Sequence, residues 1–156
     1  MLEKKLLISA AVRGRMRAHA RRFYPLEACG LLLGPSNALV GGPLRITAFV
    51  PAENVAPADS RRIAYRMDPR FLLRVQKEAG ARNLAVIGIF HSHPGHPPVP
   101  SRRDLQQAWP VYCYVILRVN SDRVGEFMAW VLDRSGKKFV ELHTPCRGRS
   151  SGPSGS

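Results

Sequence analysis

Acidic residues are scarce in this chain. Eleven Asp and Glu stand against 24 Lys and Arg over 156 residues, a formal net charge of +13. No apolar stretch approaches the ~20 residues that a membrane-spanning helix needs, so a membrane role is not expected. No secretory signal is evident, because Leu2-Glu-Lys-Lys-Leu-Leu-Ile8 is too short and lacks a cleavage site. Cysteine is sparse as well. Cys29, Cys113 and Cys146 make no even framework and no Cys-x-x-Cys pair. That excludes a disulfide scaffold and points to a reduced, cytoplasmic protein. The basic excess fits acidic partners or nucleic acid. No helix-turn-helix, zinc-finger or aromatic-stacking pattern accompanies it, which argues against nucleic acid. A solvated basic surface, or attraction of an acidic protein substrate, is the better reading. Arginine carries the excess, in one cluster from Arg13 to Arg22 and another from Arg61 to Arg74.

What remains is a chain long enough for one domain with a sizeable core. Lys4–Ile8 reads as a strand. Ser9 is an N-cap for a helix to about Arg22, with Val12, Met16, Ala20 and Phe23 on one face. Cys29–Leu33 reads as a strand ending in the Gly34-Pro-Ser-Asn turn. Arg45–Val50 is a further strand, Pro51–Arg61 a loop and Arg62–Arg66 an edge strand. Asp68 caps a second helix with Pro69 in its first position, running to about Ala81. Leu84–Phe90, Val111–Val119, Glu126–Asp133 and Lys138–His143 read as strands. Interspersed helices and strands predict an α/β domain over residues 1–146 with a mixed sheet. Residues 147–156, Arg-Gly-Arg-Ser-Ser-Gly-Pro-Ser-Gly-Ser, bury nothing and are expected to be a disordered tail or a cloning scar.

The most informative stretch follows the apolar strand: His91-Ser-His-Pro-Gly-His-Pro-Pro-Val-Pro-Ser-Arg-Arg-Asp104. Side chains alternate along a strand, so His91 and His93 point the same way. Asp104 falls in the first turn of a short helix, able to face back toward them. Two imidazoles, a carboxylate and an open position make a catalytic zinc site. A plainer reading exists: Ser101 and Asp104 resemble a capping box. The two readings coexist, since Ser101 can cap while Asp104 binds metal. His96 sits in the Gly-Pro segment with no evident partner.

His-x-His, seven residues, Ser, two residues, Asp resembles the JAMM (MPN+) motif of metal-dependent isopeptidases. That family also carries a glutamate on an early strand, which Tyr24-Pro-Leu-Glu27-Ala-Cys-Gly30-Leu-Leu-Leu-Gly34 resembles. Further similarity lies in Asn54–Asp68, including Tyr65-Arg-Met-Asp68. The likeness covers roughly residues 5–133 and looks closest to short prokaryotic members. It implies a curved mixed sheet flanked by helices, cytidine-deaminase-like, although the deaminase signature Pro-Cys-x-x-Cys is absent. It also implies one zinc held by His91, His93 and Asp104, with Glu27 as general base and acid and Ser101 as oxyanion donor. The implied substrate is a ubiquitin-like or sulfur-carrier protein, cut after its C-terminal Gly-Gly. From the residues alone, Glu27 is equally an exposed strand-edge acid. Cys29, two residues on, is placed near the site, although free cysteines usually pack. The competing functions are a non-catalytic scaffold of the MPN type and a basic nucleic-acid-binding protein.

Overall fold

Strands with little polarity have two faces to bury, so they take the interior of a sheet and need cover on both sides. In the computed structural model, which describes residues 5–37 and 42–145, the elements run in the order β1 (Leu6–Ile8), α1 (Ala10–Phe23), β2 (Cys29–Pro35), β3 (Leu44–Ile46), β4 (Ala48–Ala52), α2 (Pro69–Gly80), β5 (Leu84–Pro94), α3 (Arg102–Gln107), β6 (Cys113–Val119), β7 (Val124–Leu132) and β8 (Phe139–Leu142). Lys4, Cys146 and the expected tail at 147–156 lie outside the described residues.

Six strands lie in the order β4-β2-β5-β6-β7-β8, and β1 and β3 form a separate parallel pair. The six-stranded sheet is mixed. β5 and β6 are parallel, while every other neighbouring pair in it is antiparallel. The apolar runs of β2, β5 and β6 occupy its interior, and helices cover both faces. On one face α1 presents Val12, Met16 and Ala20 to Leu32, Phe90, Val115 and Leu117. On the other, α2 presents Val75 and Ala79 to Leu31, Ile89 and Tyr114. Ser9 caps α1 through the Val12 N–H, and Asp68 caps α2 through the Arg70 N–H with Pro69 in the first turn. Among the described residues no helix is long and apolar enough to cross a membrane.

Two expected strands differ. Arg45–Val50 is not one strand: the chain leaves β3 at Ile46 and enters β4 at Ala48. Between them the Thr47 N–H donates to the Leu33 carbonyl, and the two halves join different sheets. Arg62–Arg66 is not a strand at all. The Asn54 side chain serves its backbone instead. Nδ2 donates to the Ala64 carbonyl (3.0 Å), and Oδ1 accepts from the Arg66 N–H (3.2 Å). Polar groups met by one side-chain amide need no ladder. Two strands also run longer than expected. β2 continues to Pro35 because Leu84 pairs with it there, and β5 runs past Phe90 because β6 pairs with it as far as Pro94↔Val119.

Two glycines provide a test of this packing. A Cβ at Gly34 would run into the Arg45 carbonyl where β3 passes close to β2, whereas one at Gly14 on α1 meets nothing. Gly34→Ala should cost about 3 kcal/mol by overpacking. Gly14→Ala should add roughly 0.5–1 kcal/mol from helix propensity. Urea denaturation of the two variants checks both signs.

Candidate metal centre

The carboxyl ends of parallel strands are the usual place for a site in sheets of this kind. In the six-stranded sheet that place is the end of β5, beside β6. His91 and His93 lie there, both buried, and strand alternation points them to the same face. Glu27 sits two residues before β2, and Cys29 pairs with His91 in the antiparallel register. Ser92, between the histidines, locks this arrangement. Its Oγ accepts from the Ala28 N–H (2.8 Å), and its own N–H donates to the Ala28 carbonyl (3.0 Å). The Glu27 backbone is held from the other side. Its N–H donates to the Arg61 carbonyl (2.7 Å), and its carbonyl accepts from Asn54 Nδ2 (2.9 Å).

Asp104 approaches from α3. The capping box is formed in full: the Asp104 N–H donates to Ser101 Oγ (3.1 Å), and the Ser101 N–H donates to Asp104 Oδ2 (2.8 Å). The same Oδ2 lies 3.3 Å from Nε2 of His91 and 3.3 Å from Nε2 of His93. The two Nε2 atoms are 3.1 Å apart. Four ligands at zinc's usual bond lengths of about 2.1 Å define a tetrahedron with edges of about 3.4 Å. The triangle is therefore close to the size of one such face. Its chemistry also fits a cation. His93 Nδ1 is 2.8 Å from the Pro97 carbonyl, which can only accept, so that nitrogen carries the proton. In that tautomer Nε2 is bare and faces the Asp104 oxygen, a pair of acceptors that a cation would bridge. Glu27, His91 and His93 also offer ligand atoms within 4.8 Å of one another. These residues are compatible with a metal site.

Burial and charge set the protonation states. Burial above all, then the charge of Asp104, pushes the Glu27 carboxyl from 4.5 up to about 8, with Arg103 opposing. Glu27 Oε2 is buried without a hydrogen-bond partner. Burial would raise Asp104 too, but the adjoining His91 imidazole and the Ser101 N–H hold it well below the usual carboxylate range. Burial lowers His91.

Of the five residues expected at the site, the structure brings together Glu27, His91, His93 and Asp104. Ser101 is joined to them through its capping bonds to Asp104 and is itself exposed. Cys29 is close in sequence but turned aside. Its Sγ faces the carbonyls of Ala52 (4.0 Å) and Glu53 (3.8 Å), and burial, followed by the charge of Glu27, pushes its thiol up to about 12. His96 does have a partner: its ring stacks on His93, with centroids 4.2 Å apart. Sequence reasoning missed Asn54 and Tyr65 as individual residues. Tyr65 stacks on His91, with centroids 4.5 Å apart, and lines a groove of about 460 Å³ with Met67, Leu72, Trp109 and Tyr114. Both lie inside the Asn54–Asp68 segment, whose likeness to the family was the available signal.

A raised carboxyl binds its proton more tightly in the folded state. The metal-free protein therefore loses stability as pH rises from about 4.5 through about 8. Lowered His91 acts oppositely, removing stability as pH falls below 6.5. Comparing Glu27→Gln with the parent cancels the histidine contribution. The variant's stability advantage should widen by a few kcal/mol between about pH 5 and pH 9. Denaturant titrations in the presence of a chelator measure it, and a gap constant with pH would contradict the burial of this carboxyl.

Comparison with known proteins agrees with the geometry. A desampylase of Pyrococcus furiosus is 33% identical over 114 residues, covering 72% of this chain and 71% of that one. A probable TtuB-protein conjugate cleaving protease of Thermus thermophilus is 36% identical over 113 residues, covering 72% and 68%. The solution structure of a protein from Desulfitobacterium hafniense superposes with a TM-score of 0.75 at 27% identity, covering 90% of this chain and 91% of that one. The model of the prokaryotic homologs of the JAB domain matches residues 9–133, and the chain belongs to that family.

Proposed function

We propose that this protein is a zinc-dependent peptidase or isopeptidase that hydrolyses the amide bond after the C-terminal Gly-Gly of a ubiquitin-like or sulfur-carrier protein. The observation that carries the reading is the triangle of two imidazole nitrogens and one carboxylate oxygen beside an unpartnered buried glutamate. That complete donor set favours catalysis over the scaffold reading. The names of the relatives, a desampylase and a conjugate-cleaving protease, support the same substrate class. Free, buried Cys29 and Cys113 fit a reducing, cytoplasmic setting.

His91, His93 and Asp104 would hold the zinc. When bound, it supplies Lewis-acid polarisation of a carbonyl and acidifies water toward a pKa of about 7. Glu27 is the proton carrier. Its carboxyl, drawn down from about 8 by a neighbouring cation, ionises and can accept a proton from the attacking water. It then returns that proton to the nitrogen as the C–N bond breaks. Water's hydroxyl ends on the glycine carboxylate, and its proton ends on the leaving amine. Ser101 Oγ accepts from the Asp104 N–H, which leaves its own O–H to donate to the developing oxyanion. Such a donor contributes roughly 3–4 kcal/mol. The groove beside Tyr65 offers apolar walls to the carrier's tail.

Glu27→Gln should lower kcat by at least about 10²-fold while one zinc per chain is retained. Asp104→Ala should lose the zinc. Metal analysis after dialysis, paired with cleavage of a carrier-protein fusion, reads both. A Glu27→Gln variant with full activity would remove this mechanism.

Arg66 lines the groove, and Arg102 and Arg103 precede Asp104 in α3; all three are exposed and form no ion pair among the described residues. They favour an acidic carrier. kcat/KM should therefore fall severalfold between low and physiological salt, mainly through KM, as charges are screened. A flat response would remove electrostatic attraction from the account.

A further inference from the structure

We propose that Tyr65 and His96 are positioning residues whose rings clamp the imidazoles of His91 and His93 in the orientation that brings both Nε2 atoms onto one ion. The proposal rests on the functional reading above. The four rings form two stacked pairs joined by one edge-on contact. Tyr65 lies on His91 at 4.5 Å and 25°, His91 meets His93 edge-on at 4.9 Å and 60°, and His96 lies on His93 at 4.2 Å and 22°.

The two ligand rings are held unequally. A metal-ligating histidine almost always donates its other N–H to an acceptor, which fixes the ring plane. His93 does so, through Nδ1 to the Pro97 carbonyl (2.8 Å). His91 does not: its Nδ1 is buried with no hydrogen-bond partner. On the Nδ1 side only packing restrains that ring, and Tyr65 covers its face. Tyr65 thus does for His91 what the Pro97 carbonyl does for His93.

His96 is held in its own plane by Nδ1, which donates to the Pro94 carbonyl (2.9 Å). Its ring face meets His93, and this separates a clamp from a ligand. Lone pairs lie in the ring plane, and two nearly parallel planes do not meet at a point about 2 Å from both nitrogens. His96 therefore acts through its ring on the ion that His93 holds.

The test is zinc affinity, measured by competition with a chromophoric chelator. The variants are Tyr65→Phe, Tyr65→Leu, His96→Phe and His96→Ala, with Asp104→Ala as control. Tyr65→Leu should bind zinc about 10–100-fold more weakly, the usual cost of losing a partner that orients a ligand. Tyr65→Phe should stay within about twofold. His96→Phe should match the parent, and His96→Ala should lose less than Tyr65→Leu because His93 keeps Pro97. Parental affinity in Tyr65→Leu would overturn the clamp. So would equal losses in Tyr65→Phe and Tyr65→Leu, which would assign the effect to the hydroxyl. If His96→Phe fell as far as His96→Ala, His96 would act through its nitrogen instead. Melting of each metal-free variant is measured in parallel, and a zinc loss explained by an equal loss of fold overturns the proposal too. Failure of the parent itself to take up zinc would bring down the functional reading. Parental binding lost in Asp104→Ala but kept in Tyr65→Leu would bring down the clamp alone.

Discussion

A slip of one residue in β5 against its neighbours would turn both site imidazoles to the opposite face. Everything else at the site depends on that register. It is held on both sides: antiparallel to β2, with Cys29 opposite His91, and parallel to β6, with His93 opposite Arg118. The Ser92 contacts with Ala28 extend the β2 pairing past the end of β2 itself. Because those contacts reach the residue next to Glu27, the same interaction sets the histidines and the glutamate relative to each other. Gly88 lets β6 approach closely nearer the start of the strand, where a Cβ would lie 2.6 Å from Cys113 Sγ.

The site is costly to the metal-free fold. It buries Glu27 with an unpartnered oxygen and His91 with an unpartnered nitrogen. Unsatisfied buried polar atoms typically cost about 1–3 kcal/mol each. The surrounding segment offsets this by over-determining the backbone. Asn54 alone joins Glu27, Ala56, Ala64 and Arg66, using both ends of its amide. The glutamate's main chain is fully satisfied while one of its carboxyl oxygens is left bare. That division is what a proton carrier requires, since a carboxylate saturated with hydrogen bonds would have its pKa driven down.

The part of the site written locally was legible in the sequence. His91, His93, Ser101 and Asp104 fall within one short stretch, where strand alternation and helix capping fix their relative directions. Both long helices' starts could be read for the same reason, from Ser9 and from Asp68 with Pro69. Glu27 is 64 positions from His91, and no local rule joins them; only likeness to a family placed it. Asn54 and Tyr65 also act on residues far along the chain. The false edge strand at Arg62–Arg66 has a related origin: its residues suit a strand, but a side chain outside the segment meets its backbone needs. The division at Thr47 likewise depends on which neighbour takes each half.

A chain of net charge +13 whose buried side chains suit a cation poses an apparent conflict that distance resolves. At physiological salt, interactions between exposed charges fade over about 8 Å. The surface arginines are screened in this way, whereas Glu27 and Asp104 are enclosed in protein, where screening is weak. The charge of Asp104 raises Glu27, and exposed Arg103 lowers it by less. Two neighbouring carboxylates in a desolvated site are poorly tolerated without a proton or a cation between them. The local field at the histidines is therefore set mainly by the enclosed Asp104 carboxylate, against the sign of the chain as a whole. Under the proposed function, a basic exterior would draw in an acidic carrier without repelling a cation bound at the buried site.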